Sequence, residues 1–185
     1  MKAVILHGTD GKPSHNWFPW IKSELESRGF KVWIPELPNN HTPNRHVYNN
    51  FLLDSNWDFK NNLVIGHSSG AVSVLNLLED NRCPSIDTGI LVGAWAKMDG
   101  TDLDKKQFKN LFPEDGFNFP KIKEKSKKLI FLHGDDDPYC PLAQAKWLAK
   151  QTSSEIIIIP GGQHLGSTYK KLPELLDILK KENLI

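Results

Sequence analysis

Residues 62–80 read NLVIGHSSGAVSVLNLLED, and this stretch decides the fold. A short apolar run ending in glycine has the composition of a buried strand. After a five-residue turn, apolar residues continue far enough to build a helix. Gly-His-Ser-Ser-Gly between the two matches G-x-S-x-G at a strand-to-helix junction, the nucleophile elbow. Each residue type has a reason there. Gly66 and Gly70 lack the Cβ atoms that would clash where strand and helix approach closely, so the Ser68 hydroxyl is pushed above the sheet. The amides of the following helix then point at any negative charge that develops beside it. A turn that merely caps the helix is the plain alternative, and the position between strand and helix favours the catalytic one.

Outward from this unit the same alternation repeats. Residues 2–6 (KAVIL), 31–34 (KVWI), 62–66 (NLVIG), 88–93 (TGILVG), 128–133 (KKLIFLH) and 155–159 (EIIII) read as buried strands closed by Gly, Pro or polar turns. Segments 15–28, 45–55, 69–80, 142–151 and 170–182 carry apolar residues at helical spacing. Alternating strands and helices specify an α/β fold, a three-layer sandwich in which a mainly parallel sheet of about six strands carries helices on both faces. The rhythm breaks at 35–46, a proline-rich surface loop, and at 94–120. The latter is too aromatic for disorder and too long for an ordinary connection, so it is expected to form a small cap-like insertion. The basic run KIKEKSKK at 121–128 reads as a solvated helix or turn. No linker divides the chain, and 1–185 is expected to be a single domain.

A serine hydroxyl is a weak nucleophile and needs a base, which in turn needs an orienting acid. In sheets of this kind the acid and then the histidine follow the serine in chain order, each in a loop beyond a later strand. The strand at 128–133 runs into HGDDDPYCP (133–141), and the strand at 155–159 into PGGQHLG (160–166). His164 is therefore the expected base, presented by a loop that Gly161 and Gly162 let fold sharply. Asp137, held out of the α conformation by Pro138, is the expected acid. Asp135 and Asp136 remain alternatives, and whichever two of the three do not face the imidazole should be solvated. Three adjacent aspartates converge poorly on one ion and no second ligand cluster appears, so no metal is expected.

Stabilising a tetrahedral oxyanion takes two preorganised amides. Ser69, directly after the nucleophile, and Thr9, in the HGTDG loop at 7–11, are the expected donors. Reading HGTDG as a dinucleotide site fails because G-x-G-x-x-G is absent, and no cofactor is expected. Trp17, Trp95 and Phe112 lie in segments leaving the carboxyl edge of the sheet, where ligands bind in open α/β folds. They are expected to line a modest apolar crevice suited to a short acyl chain or a small aromatic ester, although a tryptophan of the first helix can equally pack on the sheet.

Composition narrows the partners. Lysine and arginine number 23 against 22 acidic residues, a net charge of +1, so nothing draws the chain to nucleic acid or to an anionic membrane. The start, MKAVILHG, is far short of a secretory apolar region, and no run approaches the length of a membrane span. A cytoplasmic location is expected, with Cys83 and Cys140 reduced.

GHSSGA at 66–71, DDPYCP at 136–141, GGQHLG at 161–166 and an HG followed by NWFPW at 16–20 together give a chain that resembles the α/β-hydrolase superfamily. More narrowly it is similar to the retinoblastoma-binding protein 9 family of small serine hydrolases, along nearly its whole length. The resemblance implies a compact hydrolase core without a large lid, a triad of Ser68, Asp137 and His164, and hydrolysis of ester-like substrates. The interaction for which that family is named belongs to one member and is not carried over. A carboxylesterase acting on a small-molecule ester through an acyl-enzyme is the leading expectation. A non-catalytic protein-binding module on the same fold, or an acyltransferase using the same triad, are the alternatives.

Overall fold

The computed structural model describes every residue from Met1 to Ile185. The six apolar runs form β1 (Lys2–Leu6), β2 (Lys31–Trp33), β3 (Leu63–His67), β4 (Ile86–Val92), β5 (Ser126–Gly134) and β6 (Glu155–Ile159). They make one sheet in the order β2-β1-β3-β4-β5-β6, parallel throughout. Seven helices connect or follow them: α1 (Phe18–Glu26), α2 (Arg45–Leu53), α3 (Ser69–Glu79), α4 (Asp102–Gln107), α5 (Phe119–Glu124), α6 (Leu142–Thr152) and α7 (Pro173–Lys181).

Strand alternation divides the core between the two faces. Ala3 and Ile5 of β1 pack with Ile21 and Leu25 of α1 and with Leu175 and Leu179 of α7. Val4 and Leu6 face the other way, into the core layer that also holds Leu52 of α2, Val74 and Leu78 of α3, and Leu148 of α6. The result is the expected three-layer α/β sandwich. None of the helices is long and apolar enough to cross a membrane, and both cysteines are free and buried.

Several boundaries differ from the sequence reading for local reasons. The first helix begins at Phe18 rather than near residue 15, because Asn16 adopts a left-handed conformation, φ 53°, that a right-handed helix cannot contain. The last helix starts at Pro173, since proline is preorganised for the first turn and has no N–H to waste there. The basic run at 121–128 is divided: its first half lies in α5, where Ile122 is buried, and its second half opens β5. Residues 94–120 contain α4, which starts at a Thr101–Asp104 capping box.

What positions the site is the strand order. The sheet grows from β1 toward β2 on one side and toward β3 on the other, so the loops after β1 and β3 leave neighbouring strands for opposite faces. Such a switch point opens a crevice beyond the carboxyl ends of the strands.

Candidate active site

Ser68 sits in that crevice at the end of β3. Its backbone, φ 58° and ψ −127°, lies where L-residues are strained by roughly 1–3 kcal/mol. Hydrogen bonds hold it there: its N–H donates to the Val92 carbonyl at 2.9 Å, and its own carbonyl accepts from Ala71 at 2.8 Å and Val72 at 3.2 Å. The flanking glycines are sterically required. A Cβ on Gly66 would lie 2.4 Å from the Gly70 carbonyl oxygen, and one on Gly70 would lie 2.3 Å from that of Leu6. Gly8 is constrained by the serine itself, for a Cβ there would come within 2.8 Å of the Ser68 Cβ.

The loop after β5 carries the three aspartates, and the structure assigns each a different partner. Asp137 Oδ1 accepts the amides of Tyr139 and Cys140, both at 2.9 Å. Its Oδ2 is left to receive Nδ1–H of His164 at 2.7 Å. Burial pushes the Asp137 carboxyl up, but the hydrogen bond and charge of His164 and the two amides more than offset it, leaving it below the ordinary aspartate value. Asp135 and Asp136 are exposed, as expected, and in addition accept from the backbone of the His164 loop: Gly161 N–H at 2.8 Å and Gln163 N–H at 2.6 Å. Contacts between loops some 26 residues apart leave no local signal in the sequence.

With Nδ1 protonated and facing a carboxylate, His164 presents a bare Nε2. Ser68 and His164 line the same cleft without a hydrogen bond between them, as is common in unliganded enzymes, where that contact tightens once substrate is bound. Behind the imidazole, Gly93 at φ 63° would bring a Cβ to 3.2 Å from its Cε1, so a side chain there would crowd the ring.

Thr9 and Ser69 are brought together. Thr9 Oγ1–H donates to Ser69 Oγ at 2.9 Å. Ser69 is the first residue of α3, so its amide has no acceptor within the helix, and the Thr9 amide makes no backbone hydrogen bond. Two free N–H groups thus flank the serine from β1 and from α3.

The cleft above these residues has a volume of about 670 Å³, larger and more polar than the expected apolar crevice. Trp95, Phe108 and Tyr139 line it, but so do Asp10, Lys97 and Asp99. The Tyr139 ring stands edge-on to His164 at 5.2 Å. Gln144 of α6 pins the start of the 94–120 segment, accepting the amides of Ala96 and Lys97 and donating to Asp99. Two of the three expected lining aromatics fall elsewhere. Trp17 is fully buried among the residues between sheet and α1, its Nε1–H donating to the Leu165 carbonyl at 2.8 Å. Trp17 is the N-cap of α1, and its indole packs with Phe18 and Ile21 of that helix. Phe112 stacks edge-on behind Trp95 at 5.5 Å and supports the wall without facing the cleft.

Asp137, Cys140 and His164 also offer potential metal-ligand atoms within 4.8 Å of one another. The carboxylate and imidazole are engaged with each other, and burial pushes the Cys140 thiol well above its ordinary value.

Comparison with known proteins agrees with the architecture. The serine hydrolase family model matches residues 3–181. The YdeN protein of Bacillus subtilis is 28% identical over 182 residues, 96% of this chain and 94% of that one. The serine hydrolase RBBP9 of Rattus norvegicus is 24% identical, with 97% and 94% covered. The crystal structure of the B. subtilis ydeN gene product superimposes with a TM-score of 0.87 at 24% identity, covering 97% of each chain.

Proposed function

The chain belongs to the serine hydrolase family, and from that premise we propose that it is a carboxylesterase working through a Ser68–His164–Asp137 triad. The observation that carries the reading is the 2.7 Å bond from His164 Nδ1 to Asp137, made beside a serine strained into an elbow on the same cleft. In this scheme His164 Nε2 takes the Ser68 hydroxyl proton as Oγ attacks the ester carbonyl. Asp137 holds the ring and stabilises the imidazolium without itself accepting the proton. The amides of Thr9 and Ser69 bind the oxyanion, each contributing roughly 3 kcal/mol to the transition state. Collapse breaks the ester C–O bond, and the imidazolium returns its proton to the departing alkoxide. Water, deprotonated by the same imidazole, then cleaves the acyl-enzyme.

A cleft of about 670 Å³ is in the range of small-molecule sites, and the lining side chains of Trp95, Phe108 and Tyr139 suit an aromatic or acyl group. A fluorophosphonate probe should label the protein at Ser68, and p-nitrophenyl esters should be turned over. Both activities should vanish in Ser68→Ala and His164→Ala. A folded protein that is neither labelled nor active on a broad ester panel would exclude the reading, and transfer products on adding alcohols or amines would redirect it to acyl transfer.

A further inference from the structure

Three histidines outside the proposed triad share one arrangement. His7 follows β1, His67 ends β3 and His133 is the penultimate residue of β5. All three are buried, at 0%, 4% and 0% exposure. Each places a ring nitrogen against a main-chain carbonyl of one loop of the site: His7 Nδ1 on Gly8 at 2.8 Å and His133 Nε2 on Cys140 at 2.7 Å, each in the loop that leaves its own strand, and His67 Nε2 on His164 at 2.9 Å, in the loop after β6. A carbonyl only accepts, so each of these nitrogens carries the proton and the tautomer of each ring is determined.

The three carbonyls belong to the loops that present the oxyanion amide, the base and the acid. We infer that His7, His67 and His133 are positioning residues, each bracing one loop of the site through its backbone. The inference rests on the triad proposed above.

The geometry explains how a bond to a carbonyl controls a neighbouring group. Across a trans peptide the C=O and the following N–H point in opposite directions. Drawing the Gly8 oxygen inward, where it also accepts from Gly11, turns the Thr9 N–H the other way. His7 Nε2 in turn accepts from Leu37 N–H at 2.9 Å, coupling this loop to the proline-rich one. His67 grips the residue that carries the base, and the two rings lie 4.9 Å apart. Cys140 is held from both sides: its carbonyl by His133, its amide by Asp137 Oδ1.

A buried histidine that merely fills space could be replaced by an apolar residue of similar size. A brace needs the N–H, which a carboxamide can supply from the right position: glutamine mimics a donating Nε2 and asparagine a donating Nδ1. The test compares His67→Leu with His67→Gln, His133→Leu with His133→Gln, and His7→Leu with His7→Asn. Readouts are kcat and KM on p-nitrophenyl butyrate, the rate of fluorophosphonate labelling, and the urea midpoint.

Displacing a reacting group by about 1 Å costs on the order of a hundredfold in rate. Each leucine variant should therefore lose about ten- to a hundredfold in kcat and in labelling rate with KM within about twofold, and each carboxamide variant should regain most of the loss. Nitrogen-15 spectra of the wild-type rings should show Nε2–H for His67 and His133 and Nδ1–H for His7. In His67→Leu, the amides of residues 160–166 should exchange faster. Leucine variants with wild-type kcat, carboxamides no better than leucine, or the opposite tautomers would overturn the inference. The ring spectra and amide exchange do not depend on turnover. If the wild-type protein proved inert toward esters and probe, the proposed function would fail while these two readouts still decided the braces.

Discussion

Replacing His67 by glutamine should flatten the dependence of folding stability on pH between about 7 and 5.5. Burial first, and the neighbouring His164 second, push the His67 pKa down to about 3 in the folded protein, whereas in an unfolded chain it returns to about 6.5. Between those two values the unfolded state binds a proton that the folded state refuses. Stability is therefore fully present above about pH 6.5 and falls as the pH drops toward 3. Integrating the linkage for one site gives a cost of about 0.2 kcal/mol at about pH 7 and about 1.4 kcal/mol at about pH 5.5, a loss of about 1.2 kcal/mol over the interval. His67→Gln keeps a donor for the His164 carbonyl but cannot titrate. His7 and His133, also lowered chiefly by burial, contribute to both proteins and cancel in the comparison. Urea unfolding followed by tryptophan fluorescence at the two pH values should show the wild type losing about 1.2 kcal/mol more than the variant. Equal losses would mean that the ring exchanges protons as freely in the fold as out of it, and the account of a neutral, buried brace would be wrong.

Other consequences are more direct. Gly70→Ala should destabilise the protein by about 1–3 kcal/mol or more, because its Cβ would meet the Leu6 and His7 carbonyl oxygens at 2.3 and 2.6 Å; a urea midpoint unchanged from wild type would contradict the packing argument. Trp17→Phe should cost about 1–3 kcal/mol by stranding the Leu165 carbonyl, while ester KM stays the same, since the indole lies outside the cleft. Cys83, its thiol pushed by burial up to about 12, and Cys140, raised well above its ordinary value by the same cause, should both resist Ellman's reagent at about pH 8 until urea unfolds the protein.

The sheet was readable from sequence because parallel strands are buried on both faces and appear as unbroken apolar runs; 155–159 is called at its observed limits and 62–66 within one residue of β3. The elbow was readable because its glycines answer to backbone clashes that any such junction imposes. Trp17 was not. Periodicity gives the apolar side of a helix but not where the helix begins, and the left-handed Asn16 moved that start by three residues. The division of labour among Asp135, Asp136 and Asp137 was equally hidden, because it depends on which amides of a distant loop come within reach. So were the charged members of the cleft, Asp10, Lys97 and Asp99, which in sequence look like any solvated loop residues.

The same hidden contacts answer a question the elbow raises. A strained serine is stable only if the surrounding structure over-determines it, and its own three backbone hydrogen bonds tie it to β4 and α3 alone. They do nothing for the loops after β1, β5 and β6, which must meet it from other strands. Loops normally keep their backbone polar groups in water. Here the loops converge, and the carbonyls of Gly8, Cys140, His164 and Leu165 accept from His7, His133, His67 and Trp17. These donors are rooted in or beside the sheet core and carry no charge. A lysine or arginine in their place would be costly to bury unpaired, and at position 67 a serine would be too short to cross from the end of β3 to the loop after β6. Neutral imidazole meets both demands at position 67, as indole does at 17, while at 7 and 133 the buried imidazole ties down the loop that leaves its own strand.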